Sequence, residues 1–240
     1  MDKMKNTACS QLHLQKQNTK YYIMKRAADI GISLAGIVLL SPVLAVTAAA
    51  VKLYDGGNVL YSQIRLTQNG KPFRIYKFRS MRMDSEKDGI ARIAQKDDQR
   101  ITPVGKMIRR RHIDELPQLF NILKGDMSLV GPRPERPEIM EKYMQELPEF
   151  SQRLQVKAGL TGYAQIYGTY YSTPSEKLEM DMTYVERASL LEDFRLLLAT
   201  GKILLVGDKE EQEQKKKMLT VSADSTGWDH VRCEGVRVKY

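Results

Sequence analysis

The strongest hydrophobic feature of the chain is a segment from Ile30 to Val51 that contains no charged residue over 22 positions. About 20 apolar residues span a bilayer as a helix, so this length favours a membrane helix over a buried core helix. The segment begins too late, after too much polar sequence, for a plain signal peptide. Ser41 and Pro42 lie near its middle, and a proline inside a helix removes a hydrogen bond and bends the chain.

Positive charge flanks this segment on both sides. Because positive residues mark the cytoplasmic end of a membrane helix, a straight span explains two positive flanks poorly. A re-entrant helix over residues 27–54, which enters the membrane, bends at Ser41-Pro42 and leaves on the same side, explains them better. The basic flanking residues are Lys20, Lys25, Arg26, Lys52, Arg65, Lys71 and Arg74.

The next pattern, over residues 58–78, predicts a β-hairpin. Two strand-like runs flank Asn69-Gly70, a dipeptide typical of tight turns. The second run delivers Lys77 and Arg79, although a lysine that protects a strand edge is the more ordinary explanation for such a residue. Further along, the pattern predicts helices over 104–111, 114–125, 137–147 and 190–206, a turn over 159–162 and a helix capped by Ser175.

An acid pair, Asp114-Glu115, begins the helix predicted over 114–125. At a helix N-terminus the dipole favours negative charge, which keeps a carboxylate ionised. Arginines 109–111 precede the pair, and Arg133 follows between two prolines. An ionised carboxylate beside fixed arginines can attack a phosphate, whereas a plain helix cap is the more common role of such an aspartate. The predicted buried face of this helix comprises Leu116, Leu119, Phe120 and Leu123.

Composition narrows the functional classes. The 240 residues carry a net charge of +9, which predicts an anionic partner: nucleic acid, an anionic membrane surface or a phosphorylated substrate. Cys9 and Cys233 have neither metal-site nor disulfide-framework spacing, and the three histidines are scattered, which argues against a zinc site. Strands are too few for a doubly wound sheet, so we expect an α+β, mainly helical fold.

The domain organisation follows from these patterns. Residues 1–19 predict a flexible tail, residues 20–207 a membrane-associated domain, and residues 208–240 a charged tail of unknown role. We expect the re-entrant helix, the hairpin and amphipathic interfacial helices to surround the acid pair.

The ordered motifs resemble the bacterial sugar transferase family, the monotopic polyprenyl-phosphate phosphoglycosyl transferases. After the Ser-Pro-broken apolar segment come YKFRSM, IDELPQLFNILKGDMSLVGPRPE, AGLTGYAQIYG and LEMDMTYVE. The resemblance implies transfer of a sugar phosphate from a nucleotide-diphosphate sugar, with UDP the favoured nucleotide, to undecaprenyl phosphate. It also implies a bacterial inner-membrane protein with its catalytic domain on the cytoplasmic face.

The resemblance also implies roles for individual residues. Asp114 matches the nucleophile that forms a covalent sugar-phosphate intermediate, and Asp114 with Glu115 matches the Mg²⁺ site. Arg133 matches a phosphate-binding residue. The helix break falls on Ser41 and Pro42. Further motif positions, to which substrate or phosphate binding is assigned, are Lys77, Arg79, Arg109 and Asp181.

Three alternative functions share part of this evidence. A nucleic-acid-binding module would use the positive charge and the tyrosines, but the apolar segment and the acid pair argue against it. A noncatalytic membrane scaffold conflicts with the intact acid pair, Lys77 and Arg133. A hydrolase of the same nucleotide sugars would use the same site without a lipid acceptor. The sequence leaves open the sugar, the pathway and whether the protein forms a homo-oligomer.

Overall fold

The computed structural model describes residues 19–83, 85, 98–169 and 172–206. Apart from Thr19, the predicted tails over 1–19 and 208–240 lie outside the described residues. Most described residues are helical, and one antiparallel hairpin accompanies them, so the α+β, mainly helical prediction is confirmed.

The apolar segment forms two helices, α1 (Thr19–Leu39) and α2 (Ser41–Asp55), which are bent by 62° relative to each other. Leu40 separates them, and Ser41 and Pro42 begin α2, where the missing amide hydrogen of proline costs no helix bond. The break therefore falls at the predicted position. Among the described residues no single helix is long and apolar enough to cross a bilayer, whereas the bent pair together meets both criteria.

The predicted hairpin is confirmed. Strands β1 (Leu60–Leu66) and β2 (Pro72–Phe78) pair antiparallel along their full length. Asn69 and Gly70 in the connecting turn have φ angles of 58° and 71°. Asparagine and glycine adopt this left-handed conformation at the lowest cost, which is why the dipeptide marks the turn.

The helix predicted over 114–125 is divided in the structure. Helix α3 (Pro103–Arg110) confirms the short basic helix and is followed by a 3-10 turn, Ile113–Glu115. Helix α4 (Gln118–Lys124) begins only after Pro117, which occupies its N-cap, and ends at Gly125 as predicted. The acid pair therefore lies on a separate turn ahead of α4, not in its first turn.

The buried face of α4 also differs from the prediction. Leu119 is buried, but Phe120 is 44% exposed. Asn121 is fully buried, because its side-chain amide bonds the second hairpin strand: it donates to the Arg74 carbonyl at 2.6 Å and accepts from the Tyr76 amide at 3.0 Å. Hydrogen bonding to the hairpin, rather than apolar periodicity, sets which face of α4 turns inward.

Two short strands, β3 (Ser128–Val130) and β4 (Gly159–Thr161), pair in parallel. The predicted turn over 159–162 was therefore wrong in its first three residues, which are extended. The reason is close backbone approach: a Cβ on Gly159 would lie 2.1 Å from the backbone nitrogen of Gly131. Glycine is required here by packing and does not mark a turn.

The remaining helices are α5 (Pro137–Glu146), α6 (Tyr163–Ile166), α7 (Pro174–Arg187) and α8 (Leu190–Val206). α5 and α8 confirm two predicted helices. Thr173, rather than the predicted Ser175, caps α7, and it forms a capping box with Glu176. Helix α8 buries Leu196, while its outward face exposes Leu191, Phe194, Leu198 and Leu204.

The main hydrophobic core lies between the hairpin, α4, the parallel strand pair and α8. Its buried members are Phe73, Ile75, Leu119, Ile122, Met127, Leu129, Val130, Ile166, Tyr184 and Leu196. A second, smaller cluster joins α2 to the end of the hairpin and to α3 through Val51, Phe78 and Ile108. The apolar helix pair is thus attached to the domain at both of its ends.

Charged side chains on α1 make the first of these attachments. Lys25 forms an ion pair of 2.8 Å with Asp193 of α8, and both side chains are largely buried. Asp29 is 4% exposed and accepts hydrogen bonds at Oδ1 from the Leu129 amide at 2.9 Å and from the Ser128 hydroxyl at 3.0 Å. Helix α1 therefore orders β3 through a carboxylate.

Loss of the Asp29 carboxylate should destabilise the protein. In Asp29→Ala the Leu129 amide and the Ser128 hydroxyl stay buried without an acceptor, so we expect the free energy of unfolding to fall by about 1–3 kcal/mol. Asp29→Asn, which keeps one acceptor oxygen, should lose less. Denaturant titration in detergent measures both. Ile30→Ala, at an exposed neighbouring position, is the control; equal losses in Asp29→Ala and Ile30→Ala would contradict the assignment.

Candidate active site

The acid pair is carried by a tight turn between α3 and α4. His112, directly before the turn, has a φ angle of 53°, and it is one of two non-glycine residues with positive φ in the described part of the chain. This left-handed residue reverses the chain after α3, so that the 3-10 turn presents Asp114 and Glu115. Asp114 is 7% exposed.

Glu115 is held by two cations that come from distant parts of the sequence. Lys77 Nζ, from β2, lies 2.5 Å from Glu115 Oε1, and Arg133 Nη2 lies 2.8 Å from the same oxygen. The structure thus brings together three of the residues that the sequence singled out. The Lys77 side chain is largely buried, whereas that of Arg133 is about half exposed and can reach a further anion.

The electrostatics follow from this arrangement. Burial alone would raise the pKa of Glu115, but Arg133 and Lys77 outweigh it and hold that pKa well below its usual range. Burial lowers the pKa of Lys77, and Glu115 opposes the decrease. Glu115 raises the pKa of Arg133, which stays protonated. The cluster is therefore a fixed carboxylate between two fixed cations.

Asp114 is in a different situation. Burial raises its pKa, and the charge of Glu115 adds to the increase; Lys77, Arg109 and His112 oppose it. Its carboxylate forms no hydrogen bond or ion pair within the described residues, although three positive or ionisable groups act on it. A buried carboxylate with few hydrogen bonds is a stronger nucleophile than a solvated one.

The Pro-Arg-Pro loop that carries Arg133 is fixed through its backbone. The Leu66 amide of β1 donates to the Glu135 carbonyl at 3.0 Å, and the Gly159 amide of β4 donates to the Pro132 carbonyl at 2.9 Å. Arg153 Nη2 donates to the carbonyl of Arg133 itself at 2.9 Å. Both strand pairs and the 3-10 segment Pro148–Gln155 therefore position the loop.

Asp181 lies behind this loop. It is 1% exposed, and its carboxylate is 2.7 Å from Arg153 Nη2, the same nitrogen that bonds the Arg133 carbonyl. Burial raises the pKa of Asp181 to about 6, and Arg153 opposes the increase. Asp181 thus contacts Arg133 through Arg153, which makes it a positioning residue in this structure.

Arg79 and Arg109 have different surroundings. Arg79 is 8% exposed and forms an ion pair with Asp55, the last residue of α2. It therefore ties the end of the apolar helix pair to the hairpin. Arg109 Nε donates to the Ser80 hydroxyl at 2.7 Å, and its charge acts on Asp114. Of the two, Arg109 belongs to the surroundings of the acid pair.

A magnesium ion fits the chemistry of the acid pair. Among the described residues no group of three or more acidic, histidine or cysteine side chains converges on a point. Mg²⁺ needs only one or two carboxylates when phosphates and water complete its shell. Both cations on Glu115 contact Oε1, so Oε2 and the Asp114 carboxylate are the oxygens that remain for a metal.

Three residues of this site were missed by the sequence patterns. Arg153 bonds the Arg133 carbonyl across 20 residues and Ser80 bonds Arg109 across 29, and no periodicity marks such long-range contacts. The left-handed backbone of His112, next to the acid pair, has a sequence signal: a histidine between a helix end and a new turn adopts positive φ more often than most residues do.

Residues 20–207 match the model of a known protein family, which is described as bacterial sugar transferase. The chain is 42% identical over 190 residues to a UDP-N-acetylgalactosamine-undecaprenyl-phosphate N-acetylgalactosaminephosphotransferase of Aeromonas hydrophila, covering 78% of this chain and 45% of that protein. It is 39% identical over 183 residues to the UDP-glucose:undecaprenyl-phosphate glucose-1-phosphate transferase of Escherichia coli, covering 74% and 39%.

A third relative is matched over more of its length. The UDP-glucose:undecaprenyl-phosphate glucose-1-phosphate transferase of Caulobacter vibrioides is 38% identical over 191 residues, covering 78% of this chain and 71% of that protein. The chain spans less than half of the Aeromonas and Escherichia relatives. The family match nevertheless covers most of the chain and includes every residue of the site. The resemblance in the motifs is confirmed, and the chain belongs to the bacterial sugar transferase family.

Proposed function

We propose that this protein transfers a sugar-1-phosphate from a UDP-sugar to undecaprenyl phosphate, the first membrane step in the synthesis of a surface polysaccharide or glycoconjugate. The observation that carries the proposal is the buried Asp114 carboxylate, which has no bonded partner in the described residues and adjoins the Lys77–Glu115–Arg133 cluster. The names of the relatives specify UDP-sugars and undecaprenyl phosphate, which supports the same substrates here.

The reaction uses Asp114 twice. Its carboxylate oxygen attacks the phosphorus that bears the sugar, the bond from that phosphorus to the bridging oxygen breaks, and uridine monophosphate leaves with the bond electrons. An oxygen of undecaprenyl phosphate then attacks the same phosphorus, and the bond to Asp114 breaks. The products are the undecaprenyl-diphosphate sugar and a regenerated carboxylate, which predicts ping-pong kinetics.

The cations make this encounter of anions favourable. Arg133 lies half exposed beside the acid pair, where its guanidinium can hold a phosphate with two parallel hydrogen bonds. Lys77 compensates the charge of Glu115 and opposes the increase in the pKa of Asp114 that burial causes, which favours the ionised form of the nucleophile. Mg²⁺ bound by Asp114 and Glu115 would neutralise charge that develops on the phosphate oxygens.

Family membership supports association with a membrane, and the helix pair supports a re-entrant arrangement in the bacterial inner membrane. With a bend of 62°, α2 would return to the side on which α1 begins if α1 entered the membrane obliquely and the two helices formed a wide V. Both ends of the pair bond to the same domain, through Lys25 and Asp29 at one end and Arg79–Asp55 at the other. The positive flanks on both sides of the helix pair favour the cytoplasmic face for that domain. The outward apolar residues of α8 would lie in the interface.

Release of uridine monophosphate tests the proposal directly. Purified protein in detergent receives Mg²⁺, undecaprenyl phosphate and a panel of UDP-sugars. Release with one sugar that requires the lipid would support the transferase and name its substrate. Release without the lipid would indicate a hydrolase, and no release across the panel from folded protein would favour a noncatalytic scaffold.

Substitution of the nucleophile should abolish turnover without unfolding the protein. Asp114→Asn keeps the size of the side chain but removes the anionic oxygen that attacks phosphorus, so we expect a loss of at least about 10³-fold in kcat. Trapping of radiolabelled sugar phosphate on the protein should disappear as well. Glu138→Gln, at an exposed acid of α5, is the control. Comparable kcat values for Asp114→Asn and the unchanged protein would refute Asp114 as nucleophile.

The pH profile should report the balance of charges on Asp114. Because burial raises its pKa and only the ionised form attacks, kcat/KM should decline toward acid already above the ordinary aspartate range. Lys77 opposes that increase, so Lys77→Gln should move the acid limb to higher pH. Lys142→Gln, at an exposed lysine of α5, should leave the limb in place. An unmoved limb in Lys77→Gln would show that Lys77 does not act on the nucleophile.

Asp181 should act only through Arg133. Asp181→Asn removes the counter-charge of Arg153 and so weakens its hydrogen bond to the Arg133 carbonyl. Because Arg133 would then be displaced from the position in which it binds a phosphate, we expect a loss on the order of 10- to 100-fold in kcat/KM. A double-mutant cycle separates this from a general effect: in Arg133→Ala, the further change Asp181→Asn should add little. Glu179→Gln, at an exposed acid on the same helix, is the control. Fully additive losses would contradict the connection.

A further inference from the structure

A cavity of about 140 Å³ opens beside the first turns of α1. None of Lys77, Arg109, Asp114, Glu115 and Arg133 lines it, so it is distinct from the acid-pair site. The residues that matter for its chemistry are Tyr21, Tyr22, Lys25, Arg26, Asp29 and Lys157.

The lining of this cavity carries three cations, Lys25, Arg26 and Lys157, and one carboxylate, that of Asp29. Lys25 is neutralised by Asp193, and the Asp29 carboxylate is used by the Ser128 hydroxyl and the Leu129 amide. Arg26 donates only to neutral groups, the backbone carbonyls of residues 122 and 123 at the end of α4. Its positive charge therefore has no anionic partner among the described residues.

Lys157 is the second cation of the lining without a bonded anion among the described residues. It forms no hydrogen bond or ion pair within the described part of the chain, although Asp29 and Asp126 act on it from a greater distance. Burial lowers its pKa, and the charge of Arg26 lowers it further. A Cβ on Gly125 would lie 3.3 Å from Arg26 Nη2 and 3.7 Å from Lys157 Nζ, so both head groups approach the same point. Two cations that converge on one point, neither of them bonded to an anion of the described chain, form a site for a further anion.

The surroundings indicate which anion. Around the cavity, α1 exposes Tyr22, Ile23 and Met24, and further along the same helix Ile30 and Ile32 are exposed. A ligand here would have its charged group on Arg26 and Lys157 and an apolar part along α1. Tyrosines at such a boundary are typical of the membrane interface, where a ring contacts acyl chains and its hydroxyl contacts head groups.

We propose that the cavity binds the phosphate of an anionic phospholipid head group, held by Arg26 and Lys157 with the acyl chains along α1. The proposal rests on the membrane arrangement given above but not on the transfer reaction. A bound phosphate would join α1, the end of α4 and Lys157. The next residue, Ala158, accepts a hydrogen bond at its carbonyl from the Ser128 amide of β3. Lipid binding would thereby stabilise the elements on which the acid pair and the Arg133 loop depend.

The test uses the full chain in neutral detergent micelles doped with phosphatidylglycerol or phosphatidylcholine, without nucleotide sugar. Phosphatidylglycerol should raise the melting temperature and remain bound in native mass spectrometry. Lys157→Gln loses no hydrogen bond in the described structure, so it should fold; its affinity for phosphatidylglycerol should be about fivefold lower, because one lysine near an anionic membrane surface contributes roughly that factor. Lys142→Gln makes the same charge change on an exposed helix and should bind as the unchanged protein does.

Each other outcome would overturn the proposal. Equal stabilisation by inorganic phosphate would show a site for a free anion. Protection by undecaprenyl phosphate but not by phosphatidylglycerol would assign the cavity to the acceptor. No preference for phosphatidylglycerol over phosphatidylcholine would show that the cavity does not recognise an anionic head group. Equal losses in Lys157→Gln and Lys142→Gln would show that the overall charge of the protein, and not this cavity, attracts the lipid. Since no turnover is measured, failure of the transferase reaction would leave this result unchanged.

Discussion

The contact of one glutamate oxygen with two cations is the interaction on which the arrangement of the candidate active site depends. Glu115 Oε1 receives Lys77 from the hairpin and Arg133 from the loop after β3, at 2.5 and 2.8 Å. Three chain segments therefore meet at one atom. The largely buried Glu115 carboxylate is tolerated only with such compensation. Lys77 needs Glu115 in turn, because its largely buried ammonium would otherwise be desolvated and unpaired. Within the part of the chain that the structure describes, neighbouring Asp114 has no bonded partner, which is the property that its proposed role requires.

Around Glu115, the Arg133 loop is held through its backbone and not through the Arg133 side chain alone. Hydrogen bonds from β1, β4 and Arg153 hold the carbonyls next to Arg133, while its guanidinium stays half exposed. A rigid support below a reachable cation suits an enzyme that must bind a phosphate, release a nucleotide and accept a second phosphate in its place. Asp181 takes part as the counter-charge of Arg153, so its burial and its distance from solvent agree with a positioning role.

The sequence predicted the elements whose cause is local. The break at Ser41-Pro42, the Asn69-Gly70 turn and the end of α4 at Gly125 follow from residues that act on their own backbone. It predicted poorly what distant contacts decide. Asn121 turns inward to bond the hairpin, which rotates Phe120 outward against the apolar pattern, and Gly159 serves a parallel strand partner. The motif resemblance predicted which residues form the site. It did not predict that Arg79 pairs with Asp55, because that contact depends on how the hairpin packs against the end of α2.

The attachment of α1 has a consequence for how the chain is made. Its buried bonds join residues far apart in sequence: Asp29 to Leu129 across 100 positions, and Lys25 to Asp193 across 168. The helix pair emerges from the ribosome long before these partners exist. Lys25 and Asp29 therefore stay without these partners while the middle of the chain is synthesised, and the domain closes on Lys25 only when α8 has been made. Such late, long-range closure is slow, so the charged side of α1 is among the last surfaces of the protein to be buried.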